Sequence, residues 1–253
     1  CDAYPYTAGS TQLIHVLPPE FQAGGTEALT KRLRDRCTRG EMRARMETGS
    51  DFENITLLAG FENVVAIGLK TEEYRRFEGK SIAEIARSLG KDPFDALFDL
   101  LAAEDCEAGM IDFISDEQDL RDILRAPFSG VISDATYPGT GQVHPRVYGA
   151  FVRLIEKYVV QEKLLTLEQA VHKVTLQASE RFSLAGKGKI EAGADADLLL
   201  FDPENIREKG TYLAPGVCAA GFDEVFVLGE RVIENGEYRG GRNGEMLGLR
   251  AGF

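Results

Sequence analysis

The order of apolar and polar residues changes once along this chain, near residue 185. Before that point, short apolar runs of strand length alternate with longer segments whose apolar residues recur at helical spacing. We expect strands over residues 1–6, 55–59, 64–69, 109–114 and 128–133. Strands that alternate with helices in this way are typical of an α/β fold with parallel strands.

Helices begin at recognisable capping sequences. Ser81-Ile-Ala-Glu84 and Thr166-Leu-Glu-Gln169 are capping boxes, in which the first and last side chains each accept a hydrogen bond from the other residue's backbone N–H. Asp92-Pro93 is typical of an N-cap followed by proline in the first turn. We predict helices from these three positions, of which the one after Thr166 continues to about Leu184, and a further helix over residues 147–160.

Residues 26–53 differ from their surroundings because they are dense in charged side chains. Their apolar positions are sparse, with Leu29, Leu33 and Met42 standing out. The charges are of mixed sign, which is typical of an exposed helix face. We therefore predict a solvated helical insertion or flap here, rather than a part of the core.

The chain after residue 185 is rich in short β runs, at 196–201, 224–228 and 231–234. Asn235-Gly236 is a strong signal for a two-residue hairpin turn. We predict two domains, with the strands and helices in residues 1–184 and a small β unit in residues 185–253. A complete (β/α)8 barrel has eight strands, and the first domain has fewer candidates, so a barrel would be incomplete in this chain.

Composition narrows the functional classes. Asp and Glu total 41 against 29 Lys and Arg, a formal net charge of −12, which argues against nucleic acid or a membrane surface as a partner because both require a basic face. The four cysteines are far apart and include no C-x-x-C pair, so we expect reduced thiols and a cytoplasmic protein. The chain begins at Cys1 rather than Met, and we expect it to be the C-terminal part of a longer protein.

Few residues indicate chemistry on their own. His15, His144 and His172 are the only histidines, and none belongs to an H-x-H or H-E-x-x-H motif, so a zinc site formed wholly within this chain is not expected. Asp134 follows the apolar run 128–133, which places its carboxylate at the C-terminal end of a strand. Catalytic groups of barrel enzymes lie at that end, although a turn or N-cap aspartate explains the same position.

Several blocks of sequence occur in the order found in one family. They are Asp2–Thr11, Gly79–Ala86, Ser133-Asp134, His144–Gly149 and Gly188–Leu198. On these motifs the chain resembles the N-acyl-D-amino-acid deacylase (D-aminoacylase) family of the amidohydrolase superfamily, over nearly its whole length. The resemblance implies an α/β fold in which this chain is the C-terminal part of a metal-dependent (β/α)8 TIM barrel, with a mobile insertion around residues 17–53, followed by a small β-sandwich domain.

The resemblance also implies roles for four residues. Asp134 matches the catalytic aspartate, which would take a proton from the attacking water and later give one to the leaving amine. Tyr4 and Ser10 match positions that hold the substrate's α-carboxylate, and Arg146 matches the arginine that completes this clamp. The cofactor would be zinc, one or two ions. Asp134 would be a weak ligand, and the main ligands (an H-x-H pair, a Cys and two more His) would lie upstream of Cys1.

The sequence departs from the family pattern around the aspartate. Ile132-Ser-Asp-Ala135 stands where the family usually has Gly-Ser-Asp-Gly, and the loop from Asp134 to Arg146 is slightly longer. We predict zinc-dependent hydrolysis of N-acyl-D-amino acids to a carboxylate and a D-amino acid, with the missing N-terminal half of the same protein as the partner. One alternative is a cyclic-amide hydrolase similar to dihydroorotase or hydantoinase. Another is a non-catalytic half that is inert without its N-terminal part.

Overall fold

The computed structural model describes residues 1–136 and 142–247. The loop predicted between Asp134 and Arg146 falls partly on residues 137–141, which lie outside the described residues. Within the two described ranges, no helix is long and apolar enough to cross a membrane.

A pair of parallel strands joins two distant parts of the chain. Strand β1 (Asp2–Ala3) pairs with β5 (Gly130–Val131), with Asp2 opposite Gly130 and Ala3 opposite Val131. The pairing extends one residue further, because the N–H of Ile132 donates to the carbonyl oxygen of Ala3 at 3.0 Å. Since parallel strands run in one direction, β1 and β5 end at the same edge. The predicted parallel arrangement is confirmed for this pair.

The sheet formed by the other strands of the first 184 residues is antiparallel. Strands β2 (Gly9–Gln12) and β3 (Val64–Ile67) pair on either side of β4 (Gly109–Asp112). The expectation of parallel strands is wrong for these pairs. The connection from β2 to β3 contains several helices, and this length of chain allows β3 to return on the far side of β4 in the direction of β2.

The charged segment between β2 and β3 packs into the core. Its first helical elements are two 3-10 turns and two α-helices, at Leu13–Val16, Pro19–Phe21, α1 (Gly25–Arg34) and α2 (Arg36–Thr48). Leu29 with Leu33, and Met42 with Met46, are buried pairs one helical turn apart. The prediction of a solvated segment is wrong, because one such pair is enough to give each helix a buried face.

Residues 55–59 form a helix and not the predicted strand. Helix α3 (Ile55–Ala59) begins after Asn54, whose side-chain oxygen accepts a hydrogen bond from the N–H of Leu57. An apolar run of this length does not distinguish a strand from a helix, and the polar cap decides between them. Leu57 and Leu58 point into solvent.

The larger core is completed by three helices, of which the second and third begin at the predicted caps. They are α4 (Glu72–Arg75), α5 (Ile82–Leu89) and α6 (Pro93–Ala103). Ser81 and Glu84 form both hydrogen bonds of a capping box before α5. Asp92 accepts a hydrogen bond from the N–H of Phe94 at the start of α6. These helices pack with α1 and α2 against the β2–β4–β3 sheet around buried residues such as Leu97.

A second core forms around the parallel pair. The helical elements after β4 are α7 (Glu117–Arg125), α8 (Arg146–Arg153), the π-helical segment Leu154–Gln161, α9 (Leu167–Val174) and α10 (Leu176–Arg181). The buried residues of α7, the π-helical segment and α9 pack against Val131 of β5 in this core. Helices predicted over 147–160 and 166–184 are confirmed in position, but each is interrupted. The first changes from α to π geometry at Leu154, and the second breaks at Thr175, whose φ and ψ are −128° and −90°.

The C-terminal segment forms one antiparallel sheet, as its short β runs predict. Its strands, in spatial order, are β6 (Leu198–Phe201), β7 (Phe222–Val227), β8 (Glu230–Glu234) and β9 (Glu237–Tyr238). Asn235 and Gly236 both have positive φ in the tight β8–β9 turn, as a type I′ hairpin requires. Leu198, Leu199 and Leu200 are exposed on the edge strand β6, so this strand presents apolar side chains on both faces.

The packing of α1 predicts a large loss of stability for a core truncation in the charged segment. Leu33→Ala removes a fully buried side chain and should lower the free energy of unfolding by about 2–5 kcal/mol. Leu57→Ala is the matched control, because Leu57 is 57% exposed, and it should cost less than about 0.5 kcal/mol. Urea denaturation followed by circular dichroism measures both. Equal, small losses would show that the segment is a solvated flap after all.

Candidate active site

Two of the predicted site residues lie at the edge where β1 and β5 end. Tyr4 directly follows β1, and Asp134 lies shortly beyond Val131, the last residue of β5. The backbone of Asp134 is left-handed, with φ 48°, a region that aspartate enters more readily than most residues. The parallel register of the two strands therefore brings the Tyr4 phenol and the Asp134 carboxylate to one side of the molecule.

Buried Lys173 on α9 fixes the chain that leads into β5. Its Nζ donates to the carbonyl oxygens of Ala126 and Ser129 at 2.7 and 2.9 Å, and to the Ser129 hydroxyl at 3.1 Å. Burial lowers the pKa of this ammonium group, and three oxygens satisfy its three donors. Lys173 thus holds the turn before Gly130, and with it the strand that carries Asp134.

Arg146 contacts each of the other three predicted site residues. Its side chain is 3% exposed, and its Nη2 lies 3.0 Å from Oδ2 of Asp134. The same nitrogen donates to the backbone carbonyl of Ser10 at 3.1 Å, and the guanidinium carbon lies 4.7 Å from the centre of the Tyr4 ring, a cation–π distance. Burial raises the pKa of the Tyr4 phenol while Arg146 opposes the shift, so the phenol remains a hydrogen-bond donor. Ser10 contributes its carbonyl oxygen, not its hydroxyl, to these contacts.

One donor of the Arg146 guanidinium is left without a partner. The Nε–H group is buried and donates to none of the described hydrogen-bonding groups. Arg146 lines a cavity of about 490 Å³, which Ser10, Gln142 and His144 also line. Buried unpaired donors are rare in folded proteins, and a planar guanidinium pairs best with a carboxylate through two parallel hydrogen bonds. The arrangement is suited to an anionic ligand.

His144 positions Arg146. It is not among the site residues predicted from the sequence. Its Nε2 donates to the carbonyl oxygen of Ala8 at 3.0 Å, and its Nδ1 accepts the backbone N–H of Arg146 at 2.9 Å. This pair of contacts requires the neutral ring, and burial with the nearby Arg146 charge lowers the pKa of His144 to about 3. Because both ring nitrogens are occupied, His144 is not available to a metal ion. The sequence did contain a signal for His144, because the residue belongs to a family motif directly before a predicted helix.

The C-terminal segment supplies part of the wall behind His144. The rings of Tyr6 and Tyr212 contact the His144 ring edge-on, with centroids 5.0 and 5.2 Å away. The Tyr6 hydroxyl donates to Glu208, which also pairs with Arg153 at 2.8 Å. Tyr212 and Glu208 follow the predicted domain boundary near residue 185, so residues from both sides of that boundary line the site.

At the edge where β1 and β5 end, the described residues include one carboxylate that could bind a metal ion, that of Asp134. They do not include a complete set of metal ligands. Among residues 1–136 and 142–247, no group of three or more His, Cys, Asp or Glu side chains is arranged to hold a metal ion. Asp134 is half exposed at the edge and keeps Oδ1 outside its ion pair with Arg146. A carboxylate oxygen is an accepted zinc ligand, so Asp134 fits the weak ligand predicted above. That the other ligands lie upstream of Cys1 stays a prediction.

Comparison with known proteins identifies the family. Residues 41–215 match the model described as the amidohydrolase family. The chain belongs to this family. Among curated relatives of this amidohydrolase, N-acyl-D-glutamate deacylase of Alcaligenes xylosoxydans xylosoxydans is 38% identical over 151 residues, covering 60% of this chain and 30% of the relative. D-aminoacylase of the same organism is 34% identical over 178 residues, covering 70% of this chain and 36% of the relative.

Solved structures agree with this assignment. N-acyl-D-glutamate deacylase from Bordetella bronchiseptica, complexed with zinc and a phosphonate inhibitor, gives a TM-score of 0.70 at 27% identity over 97% of this chain and 42% of that one. A D-aminoacylase structure gives 0.68 at 30% identity over 95% of this chain and 40% of that one. The predicted resemblance to the D-aminoacylase family is confirmed. The chain spans about a third of the length of the curated relatives that it matches.

The neutral state of His144 predicts how stability depends on pH. The folded pKa is about 3, below the value of 6.5 for a free histidine, so the unfolded state binds the proton first as the pH falls. The stabilisation is complete above pH 6.5 and is lost progressively towards pH 3, by about 2 kcal/mol at pH 5. Urea denaturation at pH 7 and pH 5 should show this loss in the native protein and a smaller one in His144→Gln. Exposed His15 provides the control, since His15→Gln should retain the native pH dependence. An unchanged dependence in His144→Gln would contradict the assignment.

Proposed function

We propose that the complete protein is a metal-dependent amidohydrolase that converts N-acyl-D-amino acids to a carboxylate and a D-amino acid. The observation that carries this proposal is the buried guanidinium of Arg146, whose Nε lacks a partner at a cavity wall. Tyr4, Ser10 and Asp134, the other residues that match the family's site, all contact this guanidinium. Family membership and the named activities of the relatives support the same reaction class.

Arg146, Tyr4 and Ser10 would bind the α-carboxylate of the substrate. Arg146 supplies a permanent positive charge in a nearly dry position, where a charge-assisted hydrogen bond is stronger than in water. Ser10 also lines this cavity and carries a hydroxyl donor, and Tyr4, whose ring contacts the guanidinium, carries a second. An acyclic N-acyl amino acid uses all of these groups, whereas a hydantoin has its α-carboxyl carbon in the ring and presents no free α-carboxylate to them. The site therefore favours the acyclic substrate over the hydantoinase-like alternative. Dihydroorotate keeps a free carboxylate, so a substrate panel separates the dihydroorotase-like alternative.

Asp134 would move the protons of the reaction. Its exposed carboxylate accepts a proton from the attacking water and delivers one to the nitrogen of the leaving amine. A divalent metal bound nearby, zinc in one or two ions, would supply Lewis acidity and make water easier to deprotonate. The ion pair with Arg146 holds Oδ2 of Asp134 in place and leaves Oδ1 for the proton transfers.

We propose that this chain is the C-terminal part of a (β/α)8 barrel followed by one sheet of a β-sandwich. The parallel β1–β5 pair, with Tyr4 and Asp134 at its C-terminal edge, has the arrangement of neighbouring barrel strands. The exposed leucines on both faces of β6 support a second layer contributed by the N-terminal half of the protein. The same exposed surface supports the prediction that the piece alone is inert and prone to aggregate.

Loss of the bidentate Arg146 guanidinium should weaken the binding of substrates that carry a carboxylate and leave the binding of the matching amides unchanged. In the complete enzyme, Arg146→Lys keeps a charge but loses the bidentate geometry, and KM for N-acetyl-D-leucine should rise about 10- to 100-fold. KM for N-acetyl-D-leucinamide, which has no carboxylate, should change little. Arg87→Lys is the control, since Arg87 forms an exposed ion pair with Glu62 away from the site. Equal losses on the acid and the amide would disprove the carboxylate clamp.

Removal of the Asp134 base should abolish most turnover while leaving binding intact. Asp134→Asn keeps the side-chain shape but cannot accept the proton, so kcat should fall by about 10²- to 10⁴-fold. Metal content is measured on the same samples, to separate loss of the base from loss of metal. Asp105→Asn is the matched control, because Asp105 is an exposed aspartate with φ 51° that lies outside the site. If Asp134→Asn retains more than about a tenth of kcat with metal bound, Asp134 is only a turn residue.

A further inference from the structure

A second cavity opens beside the Arg146 site and shares Ser10 with it. It has a volume of about 500 Å³. The described residues that line it include two carboxylates and a histidine, Glu53, Asp112 and His15, and include no lysine or arginine. Its remaining wall is apolar or uncharged, with Phe52 and Ile55 among its residues. The charge of this cavity is therefore opposite to that of the neighbouring carboxylate clamp.

Asp112 is the notable residue of this wall. It ends β4, its side chain is 4% exposed, and its Oδ1 has no hydrogen-bond partner. Oδ1 lies against Gly9, since a Cβ at Gly9 would come within 2.5 Å of it. A buried carboxylate oxygen without a partner is costly, and a site of this kind is commonly completed by a bound donor. Burial, and secondarily Glu53, raises the pKa of Asp112, while Arg146 opposes the shift.

The Asp112 cavity adjoins the cavity of the carboxylate clamp, because Ser10 and Thr11 line both. A ligand whose α-carboxylate is held by Arg146 therefore has the Asp112 cavity within reach of its side chain.

We propose that the cavity lined by Glu53, Asp112 and His15 receives the substrate's side chain, and that it selects cationic side chains such as those of arginine and lysine. This inference rests on the function proposed above and specifies its substrate class. The guanidinium or ammonium group of the substrate would donate to the carboxylates of Asp112 and Glu53, which both line the cavity. A glutamate side chain would instead face two carboxylates and be repelled.

The decisive comparison uses two substrates that differ only in charge. N-acetyl-D-arginine and N-acetyl-D-citrulline have similar shapes, and only the first carries a guanidinium. For the complete metal-loaded enzyme, kcat/KM for the arginine derivative should exceed that for the citrulline derivative by about 10-fold or more, as a charge-assisted hydrogen bond predicts. N-acetyl-D-glutamate should be the poorest substrate of the panel, and N-acetyl-D-leucine should lie between the extremes.

Variants locate the preference in the cavity. Glu53→Gln and Asp112→Asn should each remove most of the arginine-over-citrulline preference, measured as the ratio of the two kcat/KM values for the same variant. Glu53 is exposed, so Glu53→Gln keeps the test valid even if the buried Asp112→Asn does not fold. Glu41→Gln, an exposed glutamate on α2, is the matched control and should retain the preference.

The outcomes separate this inference from the proposed function. Equal kcat/KM for the arginine and citrulline derivatives, or a preference for the glutamate derivative, would overturn the side-chain assignment while leaving deacylation intact. A preference that survives in Glu53→Gln would overturn the role of this cavity. Hydrolysis of no member of the panel would overturn the proposed function itself, and the assignment with it.

Discussion

A positive charge held almost out of water is the constraint around which this part of the molecule is organised. Removing the Arg146 guanidinium from solvent costs several kcal/mol unless its surroundings compensate. The compensation comes from three places, the Asp134 carboxylate, the Ser10 carbonyl oxygen and the face of the Tyr4 ring. Each of these groups is delivered by a different strand or strand end. The parallel β1–β5 pair and the antiparallel β2–β4–β3 sheet therefore meet at one side chain.

A layer of buried polar contacts keeps those groups in place. His144 fixes the first residue of α8 through a neutral ring, and Lys173 fixes the turn before β5 through backbone oxygens. His144 is held neutral by its two contacts, and the charge of Lys173 is met by backbone and hydroxyl oxygens. Neither residue therefore brings a second unpaired positive charge next to Arg146.

Features set by local sequence were predictable, and features set by distant partners were not. The capping boxes, the Asn235-Gly236 turn and most helix positions follow from neighbouring residues, and they are confirmed. The clustering of Tyr4 and Asp134 followed from the strand-end rule together with the family resemblance. The direction of β2, β3 and β4 and the burial of α1 and α2 depend on how long segments return across the fold. His144 and Asp112 were missed because their importance lies in contacts with Ala8 and Gly9, far away in sequence.

The occupied ring of His144 has a consequence for kinetic tests of the proposed function. Histidine is the side chain that ordinarily changes charge between pH 5 and 8, and His144 is the one histidine of this chain beside Arg146. With one nitrogen donating and the other accepting inside the protein, it exchanges no proton with solvent in that interval. A limb of the pH–rate profile in the neutral range therefore does not report the ring of His144. The residue that positions Arg146 keeps the same charge across the interval in which such profiles are usually recorded.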